Sequence, residues 1–189
     1  MRALFLIVMA FTIQLNLNAQ LSKVHYVPPI AYSSEASSNA IPNQGHYFYI
    51  STPSTTSVTV VITPVGAVSS TIQVSNSIPH KFEIDAPGDL DSSQIAIGAS
   101  SSDVVSNTSR VVTDKGYIVE ATAAIYVALR IGESNQAGAL VSKGGAALGT
   151  DFRIGGFTNY RPHQKLDYST FLSVMATENA TLILSLIHI

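Results

Sequence analysis

The most glycine-rich stretch of the sequence, residues 138–157, has a composition that could bind phosphate: GALVSKGGAALGTDFRIGGF. A phosphate loop needs glycines at set places, so that backbone N–H groups converge on the anion, with Lys directly after the last glycine and Ser or Thr next. Here the order is reversed, because Lys143 precedes a glycine pair and no G-K-[ST] follows. G-x-G-x-x-G does not fit either, so the stretch does not predict a phosphate site.

Four glycines of this stretch are instead expected to lie at strand ends and in a tight connection. Positive φ or close contact between sheets favours glycine at such places. They are Gly138, Gly144, Gly145 and Gly149.

Histidines and carboxylates are the next candidates for chemistry, and an enzyme would need a nucleophile, a base and an orienting group within reach. No histidine lies in a G-x-S-x-G elbow or an H-E-x-x-H helix. We interpret the four outside the last six residues as isolated surface histidines: His25, His46, His80 and His163. The carboxylates are scattered, and nothing selects two of them as a glycosidase pair. The sequence therefore predicts no catalytic function.

A turn at residues 85–93, DAPGDLDSS, carries oxygen ligands at alternating positions. Asp85, Asp89, Asp91 and Ser93 are the type of residue that binds Ca²⁺. The EF-hand order is absent, and Asp beside Pro-Gly is ordinary turn chemistry. Calcium is thus the one cofactor that the sequence offers, beside the simpler interpretation of a turn.

Two aromatic surfaces could bind a ligand without catalysis. In GHYFYISTP, residues 45–53, Tyr47 and Tyr49 share one face of a strand and Phe48 takes the other. Paired tyrosines can stack on sugar rings and donate hydrogen bonds, or they can simply cover one side of a sheet. The second surface is the polar loop 158–168, since loops on a rigid sandwich often carry recognition. Its candidate residues are Tyr160, Arg161, His163 and Tyr168.

The N-terminus has the pattern of a signal peptide over residues 1–19. Arg2 precedes an apolar run from Ala3 to Ile13, which is shorter than the roughly 20 residues of a membrane span. We predict cleavage after Ala19 and a secreted or outer-surface location; a buried N-terminal helix is the alternative. The chain has no cysteine, so packing and strand pairing must stabilise it, as in many bacterial envelope proteins.

The last six residues, 184–189, spell LSLIHI. Written as codons they match a transposon end used in sequencing libraries, which predicts adapter read-through and a native protein that continues beyond Ile183. An ordinary apolar C-terminal strand is the alternative. The remaining 20–183 are long enough for one domain. A formal charge of -2 and the lack of a basic stripe argue against nucleic acid as a partner.

Apolar residues alternate with polar ones through most of the mature chain. SVTVVIT, residues 57–63, and AIYVALRI, residues 124–131, show the two-residue period of half-buried strands. Shorter strands are predicted to start at His46, Thr71, His80, Gln94, Gly116, Gly138 and Thr170. Glycine, proline and asparagine separate them. We therefore predict an all-β fold of about 10–12 short strands, an antiparallel β-sandwich or partly closed barrel, with no substantial helix after the signal peptide.

Three blocks carry a family resemblance: KGYIVEATAAIYVALRI, NQAGALVSKGGAALGTDFRIGGFTN and FLSVMATENATLI. With ISTPSTTSVTVVITP upstream, the chain from about Ser22 to Ile183 resembles the N-terminal domain of the IgGFc-binding protein family, as in large secreted proteins of gliding Gram-negative bacteria. Ala180 departs from the pattern, where a polar residue is commoner. The resemblance implies an adhesive or structural extracellular domain without catalysis, followed by repeats and a sorting domain tied to gliding motility and type IX secretion. Fc binding belongs to an animal member, and no residue-level motif transfers.

These observations predict a non-catalytic extracellular binding or adhesion domain, the N-terminal part of a larger secreted or cell-surface protein. Its partners would be an extracellular protein or glycan surface and further domains of the same chain. The alternative is a carbohydrate-binding module that accompanies a polysaccharide-degrading enzyme. A hydrolase is the third hypothesis.

Overall fold

A computed structural model describes residues 20–31, 45–85, 93–97, 111–132, 137–153 and 173–183. Within these ranges the chain forms β-strands and one short 3₁₀ turn at Gly144–Ala147, with no α-helix. Seven strands belong to one sheet whose pairs are all antiparallel, and two short strands form a separate parallel pair. The all-β, antiparallel fold predicted from the alternation is confirmed.

The described strands number nine. Their bounds are β1 Ser22–Val27, β2 Ile30–Ala31, β3 His46–Ser51, β4 Val58–Pro64, β5 Ser70–Val74, β6 His80–Asp85, β7 Ala96–Ile97, β8 Tyr117–Gly132 and β9 Ala137–Val141.

The fold is organised around β8, which is 16 residues long. Its first half, residues 117–125, pairs with β1 and β4, and its second half, residues 126–132, pairs with β3 and β9. β5 pairs with the other edge of β4, and β6 pairs with the other edge of β3. The seven strands thus form two groups of four that share β8: one contains β1, β4 and β5, and the other contains β3, β6 and β9. The sequence predicts two strands where the structure has β8 alone. That prediction was wrong because residues 121–124, Ala-Thr-Ala-Ala, contain no turn former, so one strand continues through them.

β8 pairs irregularly with β1 at this point, and such irregularities bend a strand. Ser22 pairs with Ile125 but Val24 pairs with Glu120, so β8 advances five residues while β1 advances two. Strands that pass between two sheets bend at such irregularities. Side chains from the neighbouring segments bond the backbone there. The Thr52 hydroxyl donates to the Ala124 carbonyl oxygen at 2.8 Å.

We expect Thr52→Val to lower the free energy of unfolding by about 1 to 3 kcal/mol, because it leaves the Ala124 carbonyl inside the protein without this donor. Urea unfolding followed by circular dichroism measures the loss. Thr59→Val is the matched control, since its hydroxyl bonds only the exposed Gln73 side chain, and it should change stability by less than about 0.5 kcal/mol. Equal losses in the two variants would contradict a special role for Thr52.

Alternate side chains of β3, β4 and β8 form most of the core, together with Val27, Val74 and Ile95. Val58, Val60 and Ile62 of β4 are buried, as predicted from the two-residue period. The same holds for Ile125, Val127 and Leu129 of β8. Phe48 of β3 packs edge-on against the ring of Tyr117, with centroids 5.2 Å apart. This core supports the opposite faces of β3 and β8, which carry their polar and aromatic residues.

Two predicted features differ in the structure. Strand β1 was missed because its buried positions are occupied by His25 and Val27, and a histidine there hides the apolar alternation. The strand predicted from Thr170 is absent over residues 173–177, while residues 170–172 lie outside the described part.

The four glycines of the opening stretch also differ from one another. Gly144 has the positive φ that was expected, 53°, and lies against β1. Gly138 lies within β9 and not at its end. Gly145 and Gly149 are exposed, and neither has a positive φ.

Candidate functional site

The outward side of β3 carries two tyrosines. Phe48 and Ile50 are buried, so the alternation of the strand turns Tyr47 and Tyr49 away from the core. Tyr49 is 44% exposed and Tyr47 is half-buried. The prediction that the two tyrosines share one face, opposite Phe48, is confirmed.

Register places these tyrosines among charged and small residues of the neighbouring strands. Directly opposite residues in antiparallel strands project to the same face. One row across β6, β3, β8 and β9 is Lys81, Tyr49, Ala128 and Val141. The next row is Glu83, Tyr47, Arg130 and Ala139. The two rows form a continuous outer surface on one half of the molecule.

A third tyrosine joins this surface from β8. Tyr126 lies opposite Ser51 and is 39% exposed. It is therefore the diagonal neighbour of Tyr49, at a typical separation of about 7 to 8 Å between backbones. Ala128, opposite Tyr49 and two residues from Tyr126 on β8, has a small side chain. We name the surface formed by Tyr47, Tyr49, Lys81, Glu83, Tyr126, Ala128, Arg130 and Val141 the tyrosine face.

Tyr126 is not among the site residues that the sequence predicts. Alternation in AIYVALRI already put Tyr126 and Arg130 on the polar side of their strand. The missing information was that β8 pairs with β3, which no local pattern reveals.

Tyr47 is held in place by its neighbours. The Lys81 ammonium lies 3.6 Å from the centroid of the Tyr47 ring, a cation–π contact. The ring reaches over Gly45, where a Cβ would come within 2.7 Å of the Tyr47 hydroxyl. The centroids of Tyr47 and Tyr49 are 6.5 Å apart with planes inclined by 57°. Tyr47 is thus a fixed support, and Tyr49 and Tyr126 are the more exposed rings.

The tyrosine face combines three kinds of interaction. Its exposed rings offer flat apolar surface and its phenol groups can donate or accept hydrogen bonds. Lys81 and Arg130 supply positive charge, and Glu83 supplies one negative charge. Such a set can bind a partner through stacking, hydrogen bonds and ion pairs, and it requires no covalent step.

The interpretation of His25 and His46 as surface residues was wrong. They are 0% and 2% exposed, because both occupy inward positions of their strands. The His25 Nε2 lies 3.0 Å from the Ile125 carbonyl oxygen, which requires a proton on that nitrogen. The Nδ1 atom lies 3.0 Å from the Ser142 hydroxyl, which then donates to it. Burial lowers the pKa of His25, and its hydrogen bonds to backbone carbonyls oppose this only in part.

His25 therefore has a structural role. It joins β1 to the bend of β8 and to Ser142, the residue after β9. The backbone N–H of Gly144 donates to the same Ser142 hydroxyl oxygen at 3.3 Å. His80 is half-buried at the start of β6.

Several predicted site residues lie outside the described part of the chain. These are Tyr160, Arg161, His163 and Tyr168 of the polar loop, Asp89 and Asp91 of the predicted calcium turn, and the side chain of Asp85. Ser93, at the end of that turn, is buried.

In the described ranges, no three His, Asp or Glu residues are placed to share a metal ion. The same ranges contain no helix with the length and apolar character needed to cross a bilayer. Comparisons with protein-family models, with curated proteins and with solved structures find no match to this chain.

Proposed function

We propose that this chain is a non-catalytic extracellular binding domain that serves adhesion, as the N-terminal part of a larger secreted or cell-surface protein. The observation that carries the proposal is the tyrosine face, on which Tyr49 and Tyr126 are exposed side by side. The signal-peptide pattern of residues 1–19 and the resemblance to the IgGFc-binding N-terminal domain support the extracellular setting.

The position of these rings on paired strands favours binding. Tyr49 lies in the middle strand of β6-β3-β8, and Tyr126 lies in β8 where it pairs with β3. Ladder hydrogen bonds therefore fix the backbone under both rings before any partner arrives. Association costs less free energy when contact groups are already ordered, and tyrosine has only two side-chain torsions to restrict.

The charges near the rings fit a surface that recognises polar partners. Lys81 and Arg130 flank the tyrosines on neighbouring strands, and both project outward. Interfaces are enriched in Tyr and Arg because these side chains combine apolar area with hydrogen-bond donors. A carbohydrate-binding module is the second candidate, because exposed tyrosines on the face of a sheet suit sugar rings. The C-terminal modules of the full-length gene would separate an adhesin from an enzyme appendage.

Adhesion is tested with beads coated with the purified protein and presented to surfaces that carry polysaccharide or extracellular protein. We expect the Tyr49→Ala/Tyr126→Ala double variant to reduce bead retention at least tenfold. The matched control, Val68→Ser/Val111→Ser, also removes two exposed apolar side chains, each 89% exposed, but away from the tyrosine face. It should retain full adhesion. Equal retention of the two variants, with unfolding midpoints that show both are folded, would refute the proposal.

The extracellular setting has its own test. Protein recovered from the medium or the cell surface should have Gln20 as its first residue, as cleavage after Ala19 predicts. N-terminal sequencing reports this directly. Protein found only inside cells with residues 1–19 intact would contradict an extracellular role.

A further inference from the structure

We infer that the tyrosine face binds an acidic polysaccharide, a chain of sugars that carry carboxylate groups. The inference rests on the proposed function, because it names the partner of the same binding surface. Three features of the face carry it: the spacing of two exposed rings, the small residue between them, and the position of two cations beside them.

The exposed rings fit a chain of sugars. Tyr49 and Tyr126 are diagonal neighbours, and Ala128, which is next to both, has a small side chain. The C–H side of a pyranose ring is apolar and slightly positive, so it packs well on the negative face of an aromatic ring. Two exposed rings on neighbouring strands can contact two units of the same chain. A compact small molecule would instead need a concave pocket.

Two cations lie beside the rings. Lys81 is opposite Tyr49 on β6 and its ammonium lies over the Tyr47 ring, and Arg130 is opposite Tyr47 on β8. With strands about 4.8 Å apart, these two columns are roughly 10 Å from each other, on the two sides of β3. A guanidinium can pair with a carboxylate through two parallel hydrogen bonds, and an ammonium can pair as a point charge.

The single carboxylate of the face, Glu83, restricts where an acidic ligand can lie. Glu83 is opposite Tyr47, in the row next to that of Tyr49. It repels anions from the β6 end of that row, so we place the acidic groups on the β8 side near Arg130. The face has two cations and one anion, whereas the whole chain has a formal charge of -2. This local reversal of sign favours an anionic partner over a neutral one.

The test compares two forms of one polymer, polygalacturonate and its methyl ester, in which the carboxylates are neutral. Affinity electrophoresis of the purified protein in gels that contain each polymer measures the dissociation constants. We expect the acidic form to bind at least fivefold more tightly than the ester, with the preference falling as salt is raised. Dextran sulfate reports attraction to polyanions in general, and bead adhesion is measured in parallel.

Variants identify which side chains of the tyrosine face bind the polymers. Tyr49→Ala/Tyr126→Ala should weaken binding of both polymers at least tenfold, because both need the stacking surface. Arg130→Gln should weaken only the acidic form and thereby remove the preference. Lys23→Gln is the matched control, since Lys23 is exposed on β1 outside the tyrosine face, and it should behave as the parent protein.

Each of the other outcomes rejects a specific part of the inference or of the proposed function. Equal binding of the acidic and esterified polymers overturns the acidic ligand and leaves a neutral glycan for the same face. Binding to every polyanion that persists in the double tyrosine variant is non-specific attraction and overturns the inference. Adhesion to protein surfaces without binding to either polymer overturns the ligand class while the proposed function stands. If the parent protein shows neither adhesion nor polymer binding, both proposals are refuted.

Discussion

Gly144→Ala is expected to destabilise the protein by about 2 to 4 kcal/mol, from positive φ and steric overlap together. Gly144 has φ of 53°, in the left-handed region that glycine occupies without strain. A Cβ there would overlap the Ser22 Cβ and lie 2.7 Å from its Oγ and 3.1 Å from the Val24 carbonyl oxygen. Backbone on both sides must move, since β1 is fixed to β8 and the 3₁₀ turn lies directly on it.

Chemical denaturation of the purified variants measures the effect. Gly145→Ala is the matched control, because its Cβ would meet only the Ser22 Oγ, at 3.8 Å. It should change the free energy of unfolding by less than about 0.5 kcal/mol. Ser22→Gly should rescue part of the Gly144→Ala loss by removing the overlapping atoms. Coupling of at least about 1 kcal/mol between the two sites is expected. Additive losses would show that the contact is not the cause.

Replacing His25 is the second change with a large expected effect. His25→Ala removes a buried ring and leaves the Ile125 carbonyl and the Ser142 hydroxyl without their bonds to it. Cavity formation and unsatisfied polar groups together should lower stability by about 3 to 5 kcal/mol. Since His25 is 0% exposed, relaxation of its surroundings can recover only part of this.

The same residue predicts how stability depends on pH. Burial holds the pKa of His25 in the folded protein below 6.5, which is its ordinary value in an unfolded chain. Above pH 6.5 the residue is neutral in both states and its contribution is fully present. As pH falls below 6.5, the unfolded chain binds a proton at this residue that the folded protein does not bind. The free energy of unfolding therefore decreases. The decrease continues until the pH passes the folded pKa, with a slope of at most about 1.4 kcal/mol per pH unit.

His25→Gln separates this titration from the packing of the ring. The Gln amide nitrogen can replace Nε2 as the donor to the Ile125 carbonyl, but it does not titrate in this range. Unfolding midpoints between pH 7.5 and 5.5 should fall for the parent protein and change less for the variant. Parallel pH profiles would mean that a group other than His25 causes the dependence.

The sequence by itself determined the fold class and, in the strongly alternating segments, the side chains that share a strand face. A period of two in SVTVVIT and AIYVALRI is a local property, because successive side chains of a strand must alternate. For the same reason GHYFYI was enough to place Tyr47 and Tyr49 together, opposite Phe48. These predictions needed no knowledge of neighbouring strands.

Only the tertiary structure decided which strands are neighbours. Tyr126 is far from Tyr49 in sequence, and His25 is 117 residues from Ser142, yet each pair is brought together by the ladders of β8. The bend of β8 and the burial of His25 follow from the same pairings. A strand's pattern specifies its two faces, but its edges offer the same N–H and C=O groups to any partner. The tyrosine face therefore arises from hydrogen bonds between distant segments, which no short stretch of sequence can determine.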